Sequence, residues 1–252
     1  MKTDALRLFR KKIQRKECVY GIWITLESAS ITEIAVACSL DWVVIDAEHG
    51  HLDWQNILEH IRAAVRSNTV VLVRISNIDE GIIKRVLDIG ADGIVVPHIE
   101  SAADWKRALS YARYPPAGIR GIGAERATKW GSNFSQHVKD ADEHLLMIPI
   151  IESVTGGDNI DEIIAIKGTE IVFFGPADYS ASAGYAGEWE GSGIAEAIDG
   201  VKNKIVAAGK NCGVMGKSKD DLNHRHKQGF RMLSIGADTG LLLKTITSFF
   251  ES

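Results

Sequence analysis

Hydrophobic and polar positions alternate along this chain between two kinds of segment. Short runs of aliphatic and β-branched residues recur: VYGIWIT at 19–25, WVVID at 42–46, VVLVR at 70–74, GIVVP at 93–97, LMIPII at 146–151, IVFF at 171–174, CGVM at 212–215 and RMLSI at 231–235. Between them lie longer stretches with helical spacing. Several of the short runs are almost continuously apolar, as expected of strands covered on both faces. The longer stretches carry helix-end signals: Asp53 is placed to N-cap a helix over 54–66, and Gly90 and Gly209 stand where a glycine stops a helix. No linker or low-complexity tract divides the 252 residues. The pattern predicts an α/β fold, a single-domain (β/α)8 TIM barrel over 1–252, in preference to an open doubly wound sheet.

Four of these runs continue to a charged or ionisable residue. WVVIDAEH closes at His49, TVVLVR at Arg74, LLMIPIIE at Glu152 and EIVFFGPAD at Asp178. Strands of a parallel barrel all aim their C-terminal ends at one mouth, so these four residues should converge on one pocket. Glu152 and Asp178 end adjacent predicted strands, and two carboxylates with little else nearby suit a hard divalent ion such as Mg2+ or Mn2+ better than zinc. The alternative is that each carboxylate caps the helix that follows it. The Gly175-Pro176-Ala177-Asp178 turn would also expose backbone amides to a substrate carboxylate.

His49 follows Asp46 and Glu48, and an imidazole beside a carboxylate is the natural proton-transfer group near neutral pH. His51 makes an HxH pair, but no third histidine or cysteine stands at a suitable spacing, so a histidine metal site is rejected. His224 and His226 are read as surface residues. Arg74 ends an apolar strand and needs anionic company. That company is either the substrate and a developing oxyanion, or a salt bridge to Asp46 or Glu48.

Composition narrows the class of protein. The formal net charge is -4, and the one basic stretch, Arg7, Arg10, Lys11, Lys12, Arg15 and Lys16, has no interleaved aromatic residues. It reads as a solvated helix face, with no nucleic-acid or membrane partner implied. Cys18, Cys38 and Cys212 show no CxxC spacing and sit in apolar contexts, which predicts buried free thiols. No run approaches the about 18 apolar residues of a membrane span, and the N-terminus is charged where a signal peptide is apolar. A cytoplasmic location follows as an expectation. The longest irregular stretch, 114–135, is a lid, an interface segment or a disordered loop. Its GIRGIGA follows two prolines, so it lacks the strand-to-helix setting of a dinucleotide loop.

Together GIWITLESASITEIAVACSLDWVVIDAEHGHLDW, VVLVR, RGIGAERATKWG, IPIIES, FFGPADYSAS and GFRMLSIGADTGLLL resemble the HpcH/HpaI aldolases, the class II pyruvate aldolases, over nearly the whole chain. The resemblance implies a (β/α)8 barrel that cleaves a 4-hydroxy-2-oxo acid to pyruvate and an aldehyde with a divalent metal, Mg2+, Mn2+ or Co2+. It implies that Glu152 and Asp178 ligate the metal, that His49 is the acid/base, that Arg74 holds the keto oxygen, and that Asp88 pairs with and orients His49. Trp23 would line the pocket, and Gly175, Pro176, Ala177 and Asp178 would receive the pyruvate carboxylate. It further implies a homo-oligomer, commonly hexameric, that exchanges its last helix, a role suited to TGLLLKTITSFF.

The chain departs from the family at Ile150, where members often carry Gln, and at Ile75-Ser76-Asn77. Two other readings compete. A CoA-ester lyase of the malyl-CoA or citramalyl-CoA type shares the fold, but should carry extra C-terminal elements and basic residues for the CoA phosphates. A metabolite-binding barrel without catalysis should have lost one of His49, Arg74, Glu152 and Asp178, and all four are present.

Overall fold

The computed structural model describes residues 1–185, 189 and 193–250. Its eight parallel strands are β1 (Val19–Ile24), β2 (Trp42–Asp46), β3 (Val70–Arg74), β4 (Gly93–Val96), β5 (Leu146–Ile151), β6 (Ile171–Phe174), β7 (Asn211–Met215) and β8 (Met232–Ala237). They pair in sequence order and close into a barrel, β8 against β1. The architecture is the predicted TIM barrel, and every strand end falls within one or two residues of its apolar run.

Alternate strand residues face inward. Trp42 and Val44, Val70 and Leu72, Ile148 and Ile150, and Ile171 and Phe173 pack together inside the barrel. Their neighbours Val43 and Ile45, Val71 and Val73, Ile151, and Val172 and Phe174 pack outward against the helices. Both layers are apolar, which is why the strands read as continuous hydrophobic runs rather than alternating ones.

The first helix, Thr3–Gln14, lies outside the repeats. Its Ala5, Leu6, Phe9 and Ile13 join the interior cluster, so it plugs the N-terminal end of the barrel. Its basic residues divide accordingly. Arg7, Lys11, Arg15 and Lys16 are exposed as predicted. Arg10 instead clasps Glu170 through Nε and Nη2 at 2.7 and 2.8 Å, and Lys12 pairs with Asp41. These contacts fasten the plug.

Helix Trp54–Ala63 begins at the predicted cap: Asp53 accepts the Asn56 N–H at 2.8 Å, and the Asn56 side chain accepts the Asp53 N–H at 3.0 Å. Gly90 and Gly209 take positive φ, 102° and 73°, at the helix ends assigned to them. The cysteines are free, but only Cys212 is buried. Cys18 is half-buried and Cys38 is exposed, correcting the expectation of three buried thiols. Cys38 lies just past helix Ser30–Ala37, whose core contacts are made by Thr32 and Ala35. Among the described residues no helix is long and apolar enough to cross a membrane.

Helix Ala102–Ala112 precedes the irregular segment, which contains a short 3-10 turn at Arg126–Thr128 and ends at helix Phe134–His144. The Gly-rich stretch there follows a helix rather than a strand, so it forms no dinucleotide-binding turn. The last helix, Asp238–Thr247, starts with Asp238 accepting the N–H groups of Thr25 and Leu26 at 3.0 and 2.9 Å, which fixes the outgoing end of β1. Leu242, Leu243 and Ile246 on this helix are exposed, as are Phe249 and Phe250 beyond it.

Candidate active site

The inward register that fills the barrel with apolar side chains continues past the strand ends. Stepping by two from Val44 reaches Asp46, from Leu72 reaches Arg74, from Ile150 reaches Glu152 and from Phe173 reaches Gly175. These positions lie at the C-terminal mouth. Asp46 and Arg74 are register partners across β2 and β3, and the guanidinium grips Asp46 with both Nε, at 2.9 Å, and Nη2. Its Nη1 lies 2.8 Å from Glu48, and its face lies 4.7 Å from the centre of the Trp23 ring. The salt bridges offered as the structural reading of Arg74 are therefore both present. They also hold the guanidinium in place, because Arg74 lines a cavity of about 210 Å3.

His49, Arg74, Glu152 and Asp178 meet on that cavity, and its apolar wall includes Trp23, Ile150, Phe173 and Met215. His49 sits on the turn after β2, its ring exposed at the lip. Asp46 Oδ1 accepts the N–H groups of Glu48 and His49 at 3.1 and 3.2 Å. Gly50 closes the turn: a Cβ there would stand 2.3 Å from the Asp46 carbonyl oxygen, so no larger residue fits. Asp46 thus fixes the turn and the arginine rather than the imidazole ring. The Trp23 ring meets Phe173 edge-on at 5.4 Å, and its indole Nε1 is buried with no hydrogen-bond partner among the described residues.

Glu152 is buried between like charges. Burial pushes its carboxyl above the usual range, and Glu48 and Asp178 push the same way, while the backbone N–H and ring of His98 oppose them. Burial also raises Glu48, against the pull of Arg74. Four carboxylates, Asp46, Glu48, Glu152 and Asp178, thus gather at the mouth, where Arg74 pairs with the first two. A divalent cation is the natural counter-charge for that excess.

The donor set fits such an ion. Glu152 and Asp178 line the cavity, and among the described residues no group of three or more His, Cys, Asp or Glu side chains could hold a metal. Two carboxylates suit a hard cation that completes its shell with water and substrate oxygens. Gly175 keeps that corner open, since a Cβ would stand 2.9 Å from Glu152 Oε2.

Asp88 does not join this set. It is the last residue of helix Glu80–Asp88, and its Oδ1 accepts from Arg120 Nη2 at 2.7 Å. A helix in a βα repeat runs back from the mouth, so its last residue lies at the opposite end of the barrel from His49. Within the chain, Asp88 therefore does not orient His49. Conversely, His98 was not anticipated. The GIVVP run continues one residue to it, and it contacts both Glu152 and Glu48 at the mouth.

The family model for HpcH/HpaI aldolase/citrate lyase matches residues 19–245. The chain belongs to that family. It is 31% identical over 240 residues to a hydroxypyruvate/pyruvate aldolase of Pseudomonas aeruginosa, covering 94% of this chain and 89% of that protein. It is 33% identical over 237 residues to a 2-keto-3-deoxy-L-rhamnonate aldolase of Escherichia coli K12, covering 92% and 88%. The solved structure of an HpcH/HpaI aldolase/citrate lyase family protein from Burkholderia cenocepacia J2315 matches with a TM-score of 0.92 and 27% identity, over 99% of this chain and 98% of that one. The resemblance read in the sequence is borne out. Aldolase relatives of nearly the same extent support carbon–carbon lyase chemistry.

Proposed function

We propose that this HpcH/HpaI family member is a divalent-metal-dependent class II pyruvate aldolase, which cleaves a 4-hydroxy-2-oxo acid reversibly to pyruvate and an aldehyde. The observation that carries the reading is the convergence of His49, Arg74, Glu152 and Asp178, from four separate strand ends, on one cavity. Glu152 and Asp178 would hold Mg2+, Mn2+ or Co2+, which supplies Lewis acidity beside the substrate's keto oxygen and offsets the crowded carboxylates.

The chain's own residues account for the remaining steps. Arg74 faces the keto oxygen and meets the negative charge that grows there as C3–C4 breaks. Because Asp46 and Glu48 already hold the guanidinium, no reorganisation is needed when that charge appears. His49 takes the 4-hydroxyl proton. The O–H electron pair becomes the aldehyde C=O, the C3–C4 pair becomes the enolate, and a proton delivered to C3 completes pyruvate. The Gly175–Asp178 turn, with Pro176 and Ala177, receives the pyruvate carboxylate, and Trp23 offers an indole N–H and a flat wall. No lysine Schiff base is required. Ile150 gives this wall an apolar side chain where relatives often present an amide. The same reading includes cytoplasmic location and a homo-oligomer, on the family pattern a hexamer, with Leu242, Leu243 and Ile246 meeting a partner subunit.

Incubation with Mn2+, pyruvate and a panel of aldehydes, followed by mass spectrometry, tests the reaction: an aldol adduct should form, and none in protein stripped with EDTA. His49→Ala tests the assignment of the base. The variant should lose aldol cleavage yet keep oxaloacetate decarboxylation, in which no hydroxyl proton has to leave. Equal loss of both activities would make His49 a structural residue.

A further inference from the structure

His98 stands just past β4 with φ at 51°, in the left-handed region that few non-glycine residues occupy. Its ring is 67% exposed, so packing does not explain the strained backbone. Strand register explains its position better. Gly93 and Val95 face inward, so an extended residue 98 would point out toward the helices. The left-handed turn reverses that direction and brings the ring back to the mouth. Three contacts result: the His98 N–H donates to Glu152 Oε1 at 2.6 Å, Nδ1 lies 3.2 Å from the same oxygen, and Nε2 lies 3.5 Å from Glu48 Oε1. The next residue holds the turn in place, its N–H donating to the Ile150 carbonyl at 3.3 Å.

All of the His98 contacts on Glu152 fall on Oε1, while Oε2 is the oxygen that leans on the bare Gly175. We infer that His98 is a positioning residue that gives the two Glu152 oxygens different tasks. It holds Oε1, and it thereby turns Oε2 toward the cavity as the atom offered to the divalent cation. The inference rests on the metal-dependent reading above. The ring also stands between two like charges and links the liganding carboxylate to Glu48, the residue that steadies Arg74. Outer partners of this kind orient metal ligands, and removing one typically weakens metal affinity about 10–100-fold.

Mn2+ binding to purified full-length protein, followed by electron paramagnetic resonance without any turnover, tests the idea. Two variants suit the left-handed position. His98→Gly keeps the backbone N–H, relieves the strain and removes only the ring. His98→Asn tolerates the same backbone and returns an amide donor near the place of Nδ1. The glycine variant should bind Mn2+ about 10–100-fold more weakly with no fall in metal-free Tm, and the asparagine variant should regain most of the loss. Wild-type affinity in His98→Gly, or no recovery in His98→Asn, overturns the role of the ring while the metal site stands. A wild-type protein that binds no Mn2+ overturns the metal-dependent reading and this inference with it.

Discussion

At the N-terminal end of the barrel, Leu6, Phe9 and Ile13 fill the opening, and four ion pairs bind the surrounding segments: Lys2 with Asp92, Arg10 with Glu170, Lys12 with Asp41 and Arg120 with Asp88. At the C-terminal mouth the opening stays hollow: Arg74 pairs with Asp46 and Glu48, and Glu152 lies under the like charges of Glu48 and Asp178. Hollows of about 260 and 340 Å3 also occur at the N-terminal end, larger than the one at the mouth, yet neither brings two carboxylates together. Charge arrangement, not volume, distinguishes the working end. One end pairs opposite charges, and the other holds like charges close, an arrangement that costs stability until a cation joins it.

Neutralising the crowded charge should break the comparison most visibly. Glu152→Gln keeps the shape of the side chain and still accepts the His98 N–H. Because burial and two neighbouring carboxylates disfavour the charged form, the variant should raise the Tm of metal-free protein, by about 2–4 °C for each kcal/mol relieved. It should also abolish turnover and the Mn2+-dependent stabilisation, which for one site is about 2.7 kcal/mol at a hundredfold excess over Kd. Thermal melts with and without Mn2+ report both effects, and a lower metal-free Tm would contradict the strained-mouth picture. The opposite end should respond in the opposite sense. Phe9→Ala empties a buried plug position and should cost about 3–5 kcal/mol in urea unfolding, while kcat of the folded enzyme stays within about twofold. A large drop in kcat would mean that the two ends are not independent.

Arg74 joins the two roles and sharpens the contrast. Arg74→Ala would take the guanidinium from both Asp46 and Glu48, a loss of about 3–5 kcal/mol that would confuse folding with chemistry. Arg74→Lys keeps the charge and loses the two-pronged grip on Asp46. Its fold should persist while kcat falls by about 10²–10³. A fully active lysine variant would reduce Arg74 to a salt-bridge residue.

Most of the barrel was legible because parallel strands buried on both faces are nearly all apolar, and eight short β-branched runs such as TVVLVR alternate with helical stretches. The meeting of the four candidate residues at one cavity was legible for a related reason: an ionisable residue ending such a run must lie at a rim. His98 escaped because its left-handed backbone breaks the alternation that would otherwise turn it outward. Asp88 does not reach His49 within the chain because a helix ends there, at the far rim, which the VLDIGADG motif does not reveal. Cys38 looked apolar among its neighbours, but a residue just beyond the last helical turn takes no part in the face that Thr32 and Ala35 bury.

The smallest effect, a pH slope, separates the two ends by sign. His137, at the plugged end, packs edge-on to Tyr114, and burial, helped by Arg120 and the N-terminal amine, holds its imidazole down to about 4. Unfolded, it titrates near 6.5. Between those values the unfolded chain binds more protons than the folded one. Stability is therefore fully present above about pH 6.5 and falls as pH drops toward 4, by up to about 1.4 kcal/mol per pH unit. His60, whose imidazole burial also lowers, adds to that slope. At the mouth the sign reverses: Glu152 and Glu48 are raised by burial, so the folded state takes up their protons first and acid relieves the crowding. Urea unfolding of metal-free protein at pH 7, 6 and 5 reads the loss toward acid that His137 contributes. His137→Gln should flatten that loss, and Glu152→Gln, which removes the opposing contribution, should steepen it. Identical slopes in all three proteins would show that neither end titrates as its surroundings dictate.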